Sequence, residues 1–352
     1  MKKESVDNMI SVSVVGASGY SGIELLKILV RHPGVRIDKL FANSSAGKHI
    51  ADVAPTFNKT LDIMLEHYSV DKILKSDLIF IALPSGEAMN IVPAMLSAGK
   101  RIIDLGGDFR LQDISLYERY YKRAHTASTI LKQSVYGLPE WNSPQIKSAF
   151  LVANPGCYPT SAILPLAPLL KDGLIESNGI AVSSLSGVSG AGRSASADMS
   201  FAEVNESVRA YKVGTHQHIP EIKTTLESLS DTQVKFSFVP HLLPITRGIY
   251  TSSYATLKKP VTDQSILAVY EKYYAAAPFV RTSATVIPEI KNVAYTNFID
   301  IGFRINQEDG QLIVLSAIDN LIKGAAGQAV QNMNVMMGMD EKAGLTQAPL
   351  YP

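Results

Sequence analysis

From Ile10 onward, short apolar runs alternate with stretches of helical periodicity, a rhythm that predicts a parallel sheet built from strand–helix–strand units. Residues 10–15 predict a first strand, and 19–31 an amphipathic helix stopped by Pro33-Gly34. Further strands are expected at 37–42, 77–83, 101–105 and 149–153. The third ends at Pro84-Ser85-Gly86 and leads into a helix that runs to about Ala98; the fourth ends at Gly106-Gly107. Beyond residue 157 the texture changes. An apolar helix over 161–170 and a strand over 180–185 give way to β-branched and aromatic stretches at 234–239, 248–257 and 297–305. The last of these turns through Gln307-Glu308-Asp309-Gly310 into 311–318, a hairpin. A helix near 263–277 covers this second sheet, and a helical tail at 325–337 can return to the first domain. The fold class is therefore α/β, with a parallel-sheet domain over 1–156 onto which 325–352 packs back. Residues 157–324 form an α+β domain with a mostly antiparallel sheet.

Composition narrows the function. The 352 residues carry 33 basic and 32 acidic side chains, so no overall field recruits nucleic acid or an anionic membrane. The single cysteine rules out an intrachain disulfide framework and suits a reducing cytoplasm. Residues 1–8 are polar and mixed in charge, unlike a secretory or transit signal, and the apolar run at 162–170 is broken by Pro165 and Pro168.

That cysteine sits in Asn154-Pro155-Gly156-Cys157-Tyr158-Pro159-Thr160-Ser161, between an apolar strand and an apolar helix. A thiol at a helix N-terminus faces unsatisfied N–H groups and the positive end of the macrodipole, which favour the thiolate. Cys157 therefore reads as a nucleophile rather than a small core residue.

Gly16-Ala17-Ser18-Gly19-Tyr20-Ser21-Gly22 follows the first strand and opens the first helix, where glycines let the backbone approach a pyrophosphate. This makes the first domain Rossmann-type. An NAD site would place Asp or Glu at the end of the second strand, whereas here that end runs Ala42-Asn43-Ser44-Ser45-Ala46-Gly47-Lys48. Hydroxyls and a lysine suit a 2′-phosphate, so Ser44, Ser45 and Lys48 point to NADP(H).

His216-Gln217-His218-Ile219-Pro220-Glu221-Ile222 precedes a helical run, with Pro220 at its expected first position and His218 just outside it. The segment offers a general acid/base for Cys157, ordinary surface histidines, or a metal pair with Glu221; secure spacing for a third metal ligand is missing. Gly187–Ser194 imitates a phosphate-binding loop but has Arg193 in place of the lysine, and Ala191 spoils a hydrolase elbow. What survives is a Gly-rich cradle for an oxyanion beside Arg193. Arg110 and Arg247 follow turn residues, and each is a candidate fork for a carboxylate or phosphate. Tyr20, Tyr158 and Tyr211 read as packing or hydrogen-bonding groups.

A thiolate, a histidine, a nicotinamide site and anion-binding loops converge on one chemistry: reduction of an acyl phosphate through a thioester. The chain resembles the N-acetyl-γ-glutamyl-phosphate reductase family over nearly its whole length. The match rests on the 16–25 loop, Asp108-Phe109-Arg110, Tyr136-Gly137-Leu138-Pro139-Glu140, Asn154–Thr160 and Ser189-Gly190-Ala191-Gly192-Arg193. It continues through His216–Ile222, Pro240-His241-Leu242, Thr246-Arg247-Gly248 and Gly324–Ala329. Four positions depart from the family pattern: Asn43 for an arginine, Gly106-Gly107 for Ser-Ala, and Ser85 for a histidine.

The resemblance implies a glyceraldehyde-3-phosphate-dehydrogenase-like architecture whose second domain is catalytic and dimerising. It implies NADPH-dependent reduction of N-acetylglutamyl phosphate to its semialdehyde in arginine biosynthesis, with Cys157 and His218 catalytic. Arg110, Arg193, His216, Glu221 and Arg247 would bind substrate. Gly16, Ser18, Gly19, Tyr20, Ser21, Gly22, Ser189 and Gly190 would join Ser44, Ser45 and Lys48 on the cofactor. No metal, nucleic acid or membrane is expected, and the assembly would be a homodimer or homotetramer in the cytoplasm. Rivals are a lysine-pathway reductase acting on a carrier-bound substrate, a non-catalytic NADP-binding redox sensor, and a metal-dependent hydrolase.

Overall fold

The computed structural model describes residues 9–194 and 196–350; the polar start at 1–8 and the last two residues of the 325–352 segment lie outside them. The chain divides into two compact units. One comprises the residues up to Glu118, Lys122–Asn154 and Ala326–Thr346; the other holds Arg119–Tyr121, Pro155–Ala325 and the residues from Gln347.

The first unit carries seven strands: β1 (Ile10–Val15), β2 (Val35–Phe41), β3 (Leu65–Glu66), β4 (Leu78–Ile81), β5 (Arg101–Asp104), β6 (Ser134–Tyr136) and β7 (Leu151–Ala153). Every pairing is parallel, in the order β3-β2-β1-β4-β5-β7-β6. Central strands buried on both faces need continuous apolar sequence, and β4 (Leu-Ile-Phe-Ile) is fully buried. The five predicted strands are present. β3 and β6, two and three residues long at the sheet edges, are too short to show periodicity. The helix Gly327–Met336 returns to this unit and is buried throughout, including its amides. Gln328 and Asn332 both donate to the Gly137 carbonyl, at 3.1 and 2.8 Å, and Asn332 reaches Asn154 Oδ1 at 2.9 Å.

The second unit contains β8 (Asn178–Gly187), β9 (Arg209–Ala210), β10 (Lys235–Leu243), β11 (Ile249–Thr256), β12 (Val280–Ser283), β13 (Ile299–Asn306) and β14 (Gln311–Ile318). Their order is β12-β13-β14-β11-β8-β10-β9, and four of the six pairings are antiparallel. The 15-residue helix Cys157–Lys171 packs on β11 and β14, with every residue from Tyr158 to Leu170 buried. It starts four residues earlier than its apolar periodicity suggests.

Two prolines lie inside that helix. Pro165 and Pro168 have no N–H for the carbonyls of Ser161 and Leu164, four residues back, and both carbonyls are buried. Side chains replace the missing donors: the Ser316 hydroxyl bonds the Ser161 carbonyl at 2.7 Å, and the Tyr274 hydroxyl bonds that of Leu164 at 2.6 Å. The helix therefore persists because its sheet and the covering helix Asp263–Tyr274 supply what proline removes.

Candidate active site

The dinucleotide loop belongs to the first unit. Gly16 has φ +88°, and a Cβ there would lie 2.3 Å from the Ala82 carbonyl oxygen, so only glycine fits. A Cβ on Gly22 would meet the Gly16 oxygen at 2.3 Å. The N–H groups of Gly16 and Ala17 both donate to the Phe41 carbonyl, at 2.9 and 3.1 Å, which ties the loop to the end of β2. The helix Tyr20–Leu29 makes its first internal bond from Ile23 N–H to Gly19, leaving the N–H groups of Tyr20, Ser21 and Gly22 at its positive end. These residues fit the pyrophosphate of a dinucleotide.

Ser44, Ser45 and Lys48 follow β2 in a loop laced to β3, with Gly47 N–H on the Leu65 carbonyl and Leu65 N–H on that of Lys48, at 2.8 and 2.9 Å. The sequence reading missed Glu66, which pairs with Phe41 at the end of β2. Its carboxylate is held by Lys39 at 2.6 Å and by Lys72. Those two hydrogen bonds hold its pKa below the ordinary range. Arg110, expected to fork a substrate anion, serves the main chain: its Nε bonds the Asn154 carbonyl and its Nη2 that of Leu105, each at 2.8 Å. Asp108 closes the neighbouring turn, accepting the N–H groups of Gly86 and Ala88 and the Tyr117 hydroxyl at 2.6, 3.1 and 2.8 Å.

In the second unit, Cys157 is the first helical residue, with Gly156 as N-cap in an extended conformation. It is partly exposed. Glu221, only 1 % exposed, accepts the Gly156 N–H at 2.8 Å and so fixes the turn that presents the sulfur. The helix that carries Glu221 begins at His218 rather than at Pro220. Proline is tolerated within the first turn because its N–H would be an orphan there.

The two imidazoles pack edge-on with centroids 4.7 Å apart, and the Tyr158 ring stands 5.4 Å from that of His216 and 5.9 Å from that of His218. The His218 N–H donates to Nδ1 of His216 at 3.1 Å, so that nitrogen carries no proton. The neutral ring then holds its proton on Nε2, 3.5 Å from the Tyr211 hydroxyl oxygen. Burial, helped by Lys212, lowers the His216 pKa to about 3, which keeps the ring neutral. The Tyr211 hydroxyl donates to that of Tyr158 at 3.0 Å. Burial is the main cause pushing both phenols up; a thiolate at Cys157 adds to it, so the sulfur lies within electrostatic reach of both hydroxyls.

The two loops expected to bind anions join the same unit. Gly187, Val188 and Ser189 donate main-chain bonds to Gly248, Ile245 and Thr246, at 2.9, 3.0 and 3.0 Å. Arg247 pairs with buried Asp319 at 3.1 Å and lies over the Tyr295 ring, 4.3 Å from its centroid. Arg193 and Gly190 are exposed and Ser189 is buried. Among the described residues no group of three His, Cys, Asp or Glu side chains is arranged to hold a metal ion, and no helix is long and apolar enough to cross a membrane.

Residues 11–149 match the family model of the semialdehyde dehydrogenase NAD binding domain, and residues 157–320 that of the semialdehyde dehydrogenase dimerisation domain. The chain is 48 % identical over 345 residues to the N-acetyl-gamma-glutamyl-phosphate reductase of Pelotomaculum thermopropionicum, covering 97 % of this chain and 99 % of that protein. The Geobacter sulfurreducens reductase of the same name is 47 % identical, over 98 % of this chain and its own full length. Aspartate semialdehyde dehydrogenase II of Vibrio cholerae shares the fold, with a TM-score of 0.72 at 16 % identity over 94 % of this chain and 98 % of its own. The aspartate semialdehyde dehydrogenase of Candida albicans, solved with NADP, gives a TM-score of 0.67 at 17 % identity over 96 % of this chain and 99 % of its own. With relatives at this identity along almost their entire length, the chain belongs to the N-acetyl-γ-glutamyl-phosphate reductase family of semialdehyde dehydrogenases.

Proposed function

We propose that this protein reduces N-acetyl-L-glutamyl 5-phosphate to N-acetyl-L-glutamate 5-semialdehyde and phosphate, with NADPH as reductant. The observation that carries the reading is Cys157 as the first residue of a long buried helix, beside the His218 segment and above a turn fixed by Glu221. The thiolate adds to the acyl carbon, and the carbon–oxygen bond to phosphate breaks to leave a Cys157 thioester. The 16–22 loop, with Ser44, Ser45 and Lys48, would hold NADPH, which when bound would supply the hydride to the thioester carbon, giving a tetrahedral hemithioacetal oxyanion. Its carbon–sulfur bond then breaks, the aldehyde leaves, and His218 delivers a proton to the departing sulfur. His218 takes this role because His216 is held neutral with Nδ1 already accepting a main-chain N–H. Arg247, Arg193 and the 187–192 backbone bind the anionic groups of the substrate.

NADP over NAD is supported by the hydroxyls and lysine after β2; the carboxylate of Glu66 beside that strand end is offset by Lys39 and Lys72. The Candida relative was solved with NADP. The open face of the second sheet supports self-association. Opposite the nucleophile helix, adjacent strands align Tyr254 with Ile313 and Ala181, Ser252 with Leu315, and Tyr250 with Leu185. Such a partly apolar face suits a second copy in a homodimer or a pair of dimers, working in the cytoplasm. One assay tests substrate, direction and coenzyme together: phosphate-dependent oxidation of N-acetylglutamate semialdehyde, run in parallel with NADP and NAD. Strong NADP-dependent turnover is expected, and none with either coenzyme would remove the reading.

A further inference from the structure

We infer that Asp319 and Asn320, two consecutive residues just past β14, are positioning residues of this reaction, holding the anion-binding loops in register with Cys157. The inference rests on the acyl-phosphate reading for its substrate.

Asp319 is 0 % and Asn320 2 % exposed, and each reaches far along the chain. Oδ2 of Asp319 accepts from Arg247 Nη1 at 3.1 Å and from the Tyr295 N–H at 2.7 Å. The guanidinium is thus fixed at one end while its face rests on Tyr295. Oδ1 accepts the N–H groups of Leu321 and Ile322 at 2.8 and 3.1 Å, which starts the π-helical turn Ile322–Ala326. The Asp319 carbonyl then accepts the Gly324 N–H at 2.9 Å. Gly324 lies against the nucleophile; a Cβ there would come within 2.7 Å of Cys157 Cβ. Asn320 acts on the loops themselves. Its Oδ1 accepts the Gly248 N–H at 2.7 Å, and its Nδ2 donates to the Ser189 hydroxyl at 3.0 Å. One dipeptide therefore bonds the Arg247 loop and the Ser189 loop, and shapes the turn that backs the sulfur. A bidentate arginine and a nucleophile act together only at fixed separation, and a displacement near 1 Å costs about a hundredfold in rate. Buried, multiply bonded anchors are what such a separation requires.

The experiment compares Asn320→Ala, Asn320→Asp and Asp319→Asn with the parent enzyme. Three readings are taken: KM against kcat for the acyl phosphate, alkylation of Cys157 by neutral iodoacetamide, and protection from that alkylation by inorganic phosphate. Asn320→Ala is expected to raise KM and weaken phosphate protection by about tenfold each, with unprotected alkylation unchanged. Asn320→Asp keeps the acceptor for the Gly248 N–H but sets a buried negative charge beside the loops, and is expected to weaken both further. Asp319→Asn, which sets an amide N–H₂ against one of the two donor pairs that the carboxylate accepts, is expected to weaken both as well. Unchanged KM and protection in folded Asn320→Ala, or unprotected alkylation that falls as KM rises, would overturn the inference. If the parent enzyme fails on the acyl phosphate, the reaction reading falls, while the protection series still decides whether this dipeptide sets the anion site.

Discussion

Glu221 accepts the main-chain N–H of Gly156 at 2.8 Å, so a buried carboxylate holds the residue immediately before the nucleophile. The contact does two opposing things. It fixes the turn that presents Cys157, and it sets negative charge near a sulfur that must itself become negative. Glu221→Gln keeps an acceptor oxygen and removes the charge. The expected result is a thiol that ionises at lower pH, seen as an acid shift in the pH profile of iodoacetamide alkylation. An unmoved profile would mean that the carboxylate has no electrostatic hold on the sulfur.

Replacing Cys157 by serine retains the helix start and the shape of the side chain while removing the thiolate. Turnover is expected to fall by a factor on the order of a million, as for another lost nucleophile, with NADPH binding intact by fluorescence titration. A substantial residual rate would exclude a thioester at this position.

The proline-interrupted helix yields a stability prediction. Ser316→Ala and Tyr274→Phe each strip a buried carbonyl of the donor that proline cannot provide. Each is expected to cost about 1–3 kcal/mol, measured by denaturant titration. Wild-type stability in both variants would show that the carbonyls find other donors.

These cases also show what the sequence made legible. The Gly16–Gly22 loop and Cys157 were readable because their chemistry is local: a strand end, glycines or Pro-Gly, and a helix start follow in order. The parallel strands β1, β2, β4, β5 and β7 were readable from buried apolar runs, whereas β3, β6, β9 and β12 lie at the sheet edges, where no such run marks them. The roles of Asp319 and Asn320 depend on partners 72 and 131 positions away, and no spacing rule announces such contacts. Arg110 and Glu221 sit in the motifs that drew attention to them. Arg110 bonds the Asn154 and Leu105 carbonyls and Glu221 accepts the Gly156 N–H, main-chain groups that only the folded backbone brings within reach.

His216 supplies an acid limb to stability. Its folded pKa, lowered to about 3 by burial, lies below the 6.5 of an unfolded histidine. Between these values the unfolded chain binds more protons, so stability is fully present above pH 6.5 and is lost as pH falls toward 3. His216→Asn should flatten this part of the profile, measured as the denaturation midpoint between pH 7 and pH 4 (about three units of pH). A variant that keeps the parent's slope would assign the acid sensitivity to other groups.

Asp104 has the opposite sign. This residue at the end of β5 is 0 % exposed, and one carboxylate oxygen accepts the Gly106 N–H at 3.0 Å. Burial, with repulsion from Asp108, raises its pKa from 3.8 to about 7. Here the folded state holds the proton that the unfolded chain has released. The contribution is fully present below pH 3.8 and is lost as pH rises through about 7. Asp104→Asn preserves the acceptor for Gly106 and removes the ionisation. It is expected to leave stability near pH 5 little changed and to raise it at pH 8 by an amount on the order of 1–2 kcal/mol, as burial of an unneeded charge is avoided. Because Asp108 organises the turn at Gly86 and Ala88, relieving the repulsion should also slow amide hydrogen exchange at those two N–H groups at pH 8. Equal stabilities of parent and variant at pH 8, with equal exchange, would show that Asp104 ionises in the fold at no cost.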